Sequence, residues 1–274
     1  MIYICIIILV LIIILIINKD EVKNLDSLLI SDNIPNISNE SIPNILFQTH
    51  HNKSEIPEYI FDNIKKYAPS YTHMLYDDDD ALIFLNKYFS KCVINRFKSL
   101  KSGAHKADLL RYCLLYIYGG IYLDIKVILI KNIDDIFKNK TYFYSVIGYD
   151  NKQIFQGIIA SPPRNILFLK LIRSIVNVNN VYLSYNYHLF VKDLYKKLEC
   201  DCNAKLKPGL NIGKSYNYYL FNEKCGTEIT DECTKLDRYG YCCSVYDNEQ
   251  KIFIARYPNY PWNKSILNSL QRNI

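Results

Sequence analysis

The chain has 274 residues, half of them hydrophobic and 22% charged. That balance excludes a disordered chain and allows one large domain or two small ones with an ample core. Its formal charge of +6 is spread along the chain; such a field favours anionic ligands such as nucleotide diphosphates. No Lys/Arg block with interleaved aromatics stands out, so nucleic acid is not an expected partner.

Residues 2–17 form an apolar run without a charge. As a helix the run reaches roughly 24 Å, a little short of a ~30 Å hydrocarbon core. A basic start is lacking, and so is a small-residue cleavage site before Asn18-Lys19-Asp20. The expectation is therefore an uncleaved signal-anchor. It would make a single-pass type II membrane protein whose bulk lies on the luminal side of Golgi, ER or a virus-remodelled host membrane. Residues 18–41 are polar and read as a stem.

The folded part begins at Ile42, and Ile45-Leu46-Phe47 suits a short buried strand. A helix is expected over 56–67 after Pro57, and a strand over 72–76. Asp77-Asp78-Asp79-Asp80 reads as a helix cap with an acidic first turn, its carboxylates complementing the helix dipole. The spacing next predicts a helix over 102–118, with Leu110, Leu114 and Ile117 on one face and Asp108 and Arg111 one turn apart beside it. Gly119-Gly120 ends that helix. Residues 121–130 read as one long strand, 142–147 and 154–160 as further strands, and 166–176 as a helix. Alternating strands and helices predict an α/β layer with a mainly parallel sheet.

Six of nine cysteines, Cys200, Cys202, Cys225, Cys233, Cys242 and Cys243, fall in the last third. Behind an apolar leader they suggest a disulfide-stapled part made in an oxidising compartment, and no pairing follows from spacing. Zinc is disfavoured because no paired C-x2-C spacing occurs. Cys92 and Cys113 are expected as buried thiols. Sequons stand at Asn36, Asn39, Asn52, Asn139 and Asn263.

Most of the chemistry lies in Ala104-His105-Lys106-Ala107-Asp108-Leu109-Leu110-Arg111-Tyr112 and Gly119-Gly120-Ile121-Tyr122-Leu123-Asp124-Ile125-Lys126. In a parallel α/β sheet, ligands bind beyond the strands' carboxyl ends. A Gly-Gly reversal would bring Asp108 and Arg111 to the same crevice as Asp124. Carboxylates accept sugar hydroxyls, and a guanidinium forks to hydroxyl or phosphate oxygens. The bland alternative is an i,i+3 surface pair worth only ~0.3–0.5 kcal/mol, plus a strand-end Asp.

These segments, preceded by Ile42-Pro43-Asn44-Ile45-Leu46-Phe47-Gln48-Thr49-His50, resemble the DXD sugar-binding glycosyltransferases of family 32. That group contains initiating α-1,6-mannosyltransferases and α-1,4-galactosyltransferases. The resemblance covers roughly residues 42–176 and leaves the cysteine-rich end unexplained. It implies a Rossmann-like nucleotide-sugar transferase (GT-A type) fold; the catalytic core is expected over 42–199, and the cysteine cluster marks 200–274 as a cysteine-rich C-terminal extension of it. The implied activity is retaining transfer of a hexose from a nucleotide-sugar donor to a glycan, glycoprotein or glycolipid acceptor. Carried over, Asp108, Arg111 and Asp124 take the catalytic places. Gln48, Thr49, His50, Lys126, Gln156 and Trp262 join them in holding the donor, with His50 where an aromatic is usual.

The resemblance further implies Mn²⁺ on Asp124, neutralising the diphosphate. Lys126 stands where the motif's second Asp belongs. Either metal still binds through Asp124 and C-terminal ligands, or Lys126 itself neutralises the diphosphate, or Lys126 turns away along the strand. A further alternative is lost catalysis, leaving a non-catalytic carbohydrate-binding protein with a degenerate Asp124-Ile125-Lys126 motif.

Overall fold

The computed structural model describes residues 25–30, 34–35, 40–225 and 241–257. The expected anchor over 2–17, Cys233, Trp262 and the sequons at Asn36, Asn39 and Asn263 lie outside the described residues. Among the described residues no helix is long and apolar enough to cross a membrane.

Ten strands form one sheet: β1 (Ile45–Thr49), β2 (Thr72–Tyr76), β3 (Gly120–Leu123), β4 (Val127–Leu129), β5 (Phe143–Ile147), β6 (Ile154–Ser161), β7 (Gly209–Ile212), β8 (Asn217–Cys225), β9 (Tyr241–Asp247) and β10 (Gln250–Tyr257). Their order is β2-β1-β3-β6-β5-β8-β9-β10-β4, with β7 paired to β8. The expected mainly parallel sheet is corrected to a mixed one. β1 runs parallel to β2 and β3, and β5 to β8, whereas every other described pairing is antiparallel. Short connections cause this: β5 to β6 and β9 to β10 leave no room for the crossover that a parallel neighbour requires.

The long strand expected over 121–130 is two strands in different parts of the sheet. The Asp124 N–H donates to the Gly157 carbonyl at 2.8 Å, and the Val127 N–H then returns to the Asp124 carbonyl at 2.9 Å. The chain turns there and β4 pairs with β10 instead. Four Cα steps from Leu123 to Val127 span at most about 15 Å, whereas six strand spacings in a flat sheet would need about 29 Å. The sheet must therefore curl, and Asp124-Ile125-Lys126 sits at the place where its far edge comes back.

Eight α-helices cover the sheet among the described residues: α1 (Glu58–Tyr67), α2 (Asp78–Tyr88), α3 (Lys91–Ser99), α4 (Gly103–Tyr118), α5 (Ile133–Ile136), α6 (Ile166–Asn177), α7 (Asn180–Tyr185) and α8 (Leu189–Cys202). One core packs α2, α3, α4, α6 and α8 on a sheet face through Phe47, Leu114, Tyr122 and Phe168. A second fills the other face and the curl through Leu46, Ile121, Phe137, Phe221 and Phe253. Leu25 and Leu28 are buried in the first core, and the Ile30 N–H donates to the Tyr88 carbonyl at 2.9 Å. The expected stem is thus packed against the domain where it is described.

The acidic run caps α2 as expected. Asp77 accepts from the Asp79 and Asp80 N–H groups, and Asp80 accepts from the Asp77 N–H at 3.2 Å. Cys225 and Cys243 form a disulfide joining β8 to β9, while Cys200 and Cys202 are free on α8. Cys113 is buried as expected, but Cys92 is exposed. It stands in the first turn of α3, whose buried face is set by Val93, Ile94 and Phe97.

Candidate active site

Helix α4 passes through the core, and Asp108 and Arg111 are buried on it at 8% and 3% exposure. Gly119, at φ +65°, ends the helix, and a Cβ there would meet the Pro163 nitrogen at 2.5 Å. Gly120, at φ +101°, lets β3 start against the Ile45 carbonyl, 2.7 Å from where its Cβ would be. Both positions need glycine, because other residues rarely adopt positive φ and would clash. The reversal sends β3 back alongside α4, so that Asp124 emerges beside Arg111.

Arg111 is the hub. Its Nη2 lies 3.1 Å from Asp108 Oδ1 and 3.3 Å from Asp124 Oδ1. Its Nη1 donates to the Gln156 carbonyl and its Nε to the Ala107 carbonyl, while the guanidinium lies over the Tyr122 ring, 4.4 Å from its centroid. The Tyr122 hydroxyl donates to Asp124 Oδ1 at 3.0 Å. That proton being spent, the Thr49 hydroxyl donates to Tyr122 at 2.9 Å.

Asp124 Oδ2 lies 3.4 Å from Lys126 Nζ, which also stands 5.3 Å from the Phe155 ring centroid. A Cβ at Gly157 would come within 2.7 Å of Asp124 Oδ2 and 2.4 Å of the Phe155 ring. Glycine there preserves the space the carboxylate occupies.

These groups open into a cavity of about 920 Å³, within the size range of small-molecule sites. Its lining also includes Thr49, His50, Tyr59, Tyr149, Tyr187 and His188. Gln156 is 3% exposed and lines the cavity. Its Oε1 accepts from the Tyr112 hydroxyl, and its Nε2 has no partner. A buried amide donor left unspent is costly, so it is available to a ligand.

Burial pushes the Asp108 carboxyl up to about 6, against the pull of Arg111 and His105. Burial works the same way on Asp124, but Arg111, Lys126 and the Tyr122 hydrogen bond more than offset it and hold its carboxyl below the ordinary range. The two carboxylates flanking one guanidinium are thus driven apart. Burial, aided by Lys192, lowers His188 below its usual range.

A divalent cation, implied at the motif by resemblance, does not fit the described side chains. Asp124 Oδ1 is engaged by Tyr122 and Arg111, and Oδ2 by Lys126. Among the described residues, three metal-ligating groups converge only at His50, His51 and Glu55, and at Glu223, Cys225 and Cys243. Asp124 belongs to neither, and the two cysteines of the second are joined to each other.

Of the residues expected from the sequence, Asp108, Arg111, Asp124, Lys126, Thr49, His50 and Gln156 face this cavity. Gln48 does not. It is fully buried and its amide has no partner, because strand alternation puts it on the face opposite Thr49. Lys126 does not turn away, since it lies outside any strand and alternation does not apply. Sequence reasoning missed Tyr122, Phe155, Gly157 and Tyr187. Tyr122 was legible, standing two residues before Asp124 near the end of β3.

Residues 54–143 match the family model of a glycosyltransferase sugar-binding region containing DXD motif. The match takes in α4, the Gly-Gly turn and Asp124 to Lys126, and leaves out Thr49, His50 and Gln156. A mannosyl phosphorylinositol ceramide synthase of Saccharomyces cerevisiae is 26% identical over 193 residues, covering 66% of this chain and 50% of that protein. An uncharacterized glycosyltransferase of Acanthamoeba polyphaga mimivirus is 32% identical over 136 residues, or 46% and 53% of the two chains. The initiation-specific alpha-1,6-mannosyltransferase of Saccharomyces cerevisiae is 38% identical over 91 residues, or 32% and 19%. The chain spans about half the length of the first two relatives and a fifth of the third.

Proposed function

We propose that this chain, whose residues 54–143 match the model of a glycosyltransferase sugar-binding region, transfers a hexose from a nucleotide-sugar donor to a glycan or glycolipid acceptor. The observation that carries the reading is the Arg111 hub: one guanidinium held between Asp108 and Asp124 at the wall of a cavity of about 920 Å³. Asp108 and Asp124 accept hydroxyls of the sugar, Gln156 Nε2 donates to it, and Thr49 and His50 take the nucleotide.

In the reaction the bond from the anomeric carbon to the diphosphate oxygen breaks, and its electron pair leaves with the nucleoside diphosphate. The acceptor hydroxyl oxygen bonds to that carbon, and its proton passes to the departing phosphate oxygen. The transfer retains the donor's anomeric configuration, as the sequence resemblance implies. Catalysis then rests on positioning the acceptor and stabilising the leaving group. Mannose is the first sugar to test, because two of the relatives are named for it. Attachment to a membrane through residues 2–17 and a luminal location belong to the same proposal. The Cys225–Cys243 bridge supports an oxidising compartment.

The test is release of nucleoside diphosphate by the full chain, purified under oxidising conditions, from a panel of nucleotide sugars. One donor should be consumed, and Asp124→Asn should lower the rate by at least about 100-fold. Binding without turnover in every metal condition would replace the transferase by a carbohydrate-binding protein. No binding at all would leave the motif as scaffold.

A further inference from the structure

We propose that Lys126 replaces the divalent cation, so that the donor's diphosphate is neutralised by a protein ammonium and neither binding nor departure of the leaving group needs a metal. This rests on the glycosyl-transfer reading and specifies its leaving-group site. A metal held by carboxylate oxygen sits about 2.0–2.6 Å from it. Against Asp124 Oδ2, that position is contested by Lys126 Nζ, already 3.4 Å from the same oxygen. A divalent ion there would face a like charge at close range, in a partly buried site where water screens poorly.

The side chain is held for this role. It is 17% exposed, tied to Asp124 at one end of its reach and set 5.3 Å from the Phe155 ring centroid. It lines the same cavity as Arg111, Asp108 and Gln156. Asp124-Ile125-Lys126 lies where the chain leaves β3, and the turn closed by the Val127 N–H fixes the segment. A diphosphate oxygen entering beside Asp124 meets the ammonium, which donates charge-assisted hydrogen bonds to the oxygens that gain the electron pair. Asp124 remains as the acceptor that orients both Lys126 and the sugar, which a single carboxylate can do with its several lone pairs. The altered motif is then a change of counter-charge rather than a loss of function.

The full chain, stripped with EDTA, is titrated calorimetrically with guanosine and uridine diphosphates and with the corresponding monophosphates, then again with Mn²⁺. The wild type should bind the preferred diphosphate within about twofold in the two conditions. Lys126→Ala should weaken diphosphate binding at least tenfold and leave the monophosphate unchanged. Lys126→Arg should keep most of the affinity, since a cation remains. Lys126→Asp should lose binding in EDTA and regain it with Mn²⁺, having restored an Asp-x-Asp pair. Circular dichroism of each variant separates misfolding from lost recognition, and the arginine variant carries the test should the alanine variant not fold. Diphosphate binding that Mn²⁺ alone confers on the wild type, or an alanine variant as tight as wild type, overturns the proposal and leaves glycosyl transfer standing. A folded wild type that takes up no nucleotide or nucleotide sugar in either condition overturns both.

Discussion

Arg111 Nη2 lies 3.3 Å from Asp124 Oδ1, joining the middle of a helix to the residue that follows a strand begun at Gly120. Asp108 shares the same nitrogen at 3.1 Å. Two carboxylates therefore share one guanidinium, and Asp124 has Lys126 as a second cation. Replacing Arg111 by Ala should cost about 3–5 kcal/mol, the range for breaking a buried ion pair and leaving its partner unmatched. Urea unfolding of Arg111→Ala measures this. Arg111→Ala/Asp108→Asn should recover part of the loss, since it removes the carboxylate left without its ion-pair partner.

Asp108 should impose a pH limb near 6. Its folded-state carboxyl is raised to about 6 by burial, above its usual value of 3.8. Between those values the native state binds more protons than the unfolded chain, so this group's contribution to stability falls as pH rises from about 4 to 6. Sugar binding by the carboxylate runs the other way and should strengthen as pH passes through about 6. Donor affinity and melting temperature against pH should show both trends in the wild type, and Asp108→Asn should flatten both.

Gly157→Ala places a methyl 2.7 Å from Asp124 Oδ2 and 2.4 Å from the Phe155 ring. Overpacking of this kind costs about 1–3 kcal/mol. The larger effect should be on turnover, because the displaced groups are Asp124 and the ring beside Lys126. We expect at least a tenfold fall in donor hydrolysis with the melting temperature lowered by only a few degrees. Unchanged kinetics would mean that Asp124 need not stay where it lies.

Reducing the Cys225–Cys243 bridge opens a covalent closure between cysteines 18 positions apart in sequence. The chain-entropy model gives about 3 kcal/mol for such a loop. Scanning calorimetry with and without dithiothreitol should show a lower melting temperature when reduced, and Cys225→Ser/Cys243→Ser should match the reduced wild type. Both cysteines border the cavity, so acceptor use should suffer along with stability.

Local features were the readable ones. The capping box of α2 needs only Asp77 and Asp80, and strand β2 falls on the residues its pattern indicated. Helix α4 was legible because Gly119-Gly120 punctuates it and its apolar positions repeat. Residues 121–130 misled because a β-branched run looks the same whether one strand or two follow from it. The break lies in hydrogen bonds to Gly157 and within the turn, which no single segment encodes. Gln48 was placed by motif rather than by parity, and the alternation of a strand would have separated it from Thr49.

The sequence by itself determined the charged inventory of the site, the i,i+3 pairing of Asp108 with Arg111, and the glycines that make the reversal possible. Those depend on backbone geometry over a few residues. Only the tertiary structure decided that Asp124 completes the pair, that Lys126 faces the cavity, and that Cys225 finds Cys243. The Arg111–Asp124 and Cys225–Cys243 contacts join residues distant in the chain, and strand order in a curled sheet is chosen by the burial of both faces at once. Lys126 stands beside Asp124 in the turn at which the chain leaves β3, and the fold gives that turn to the cavity wall.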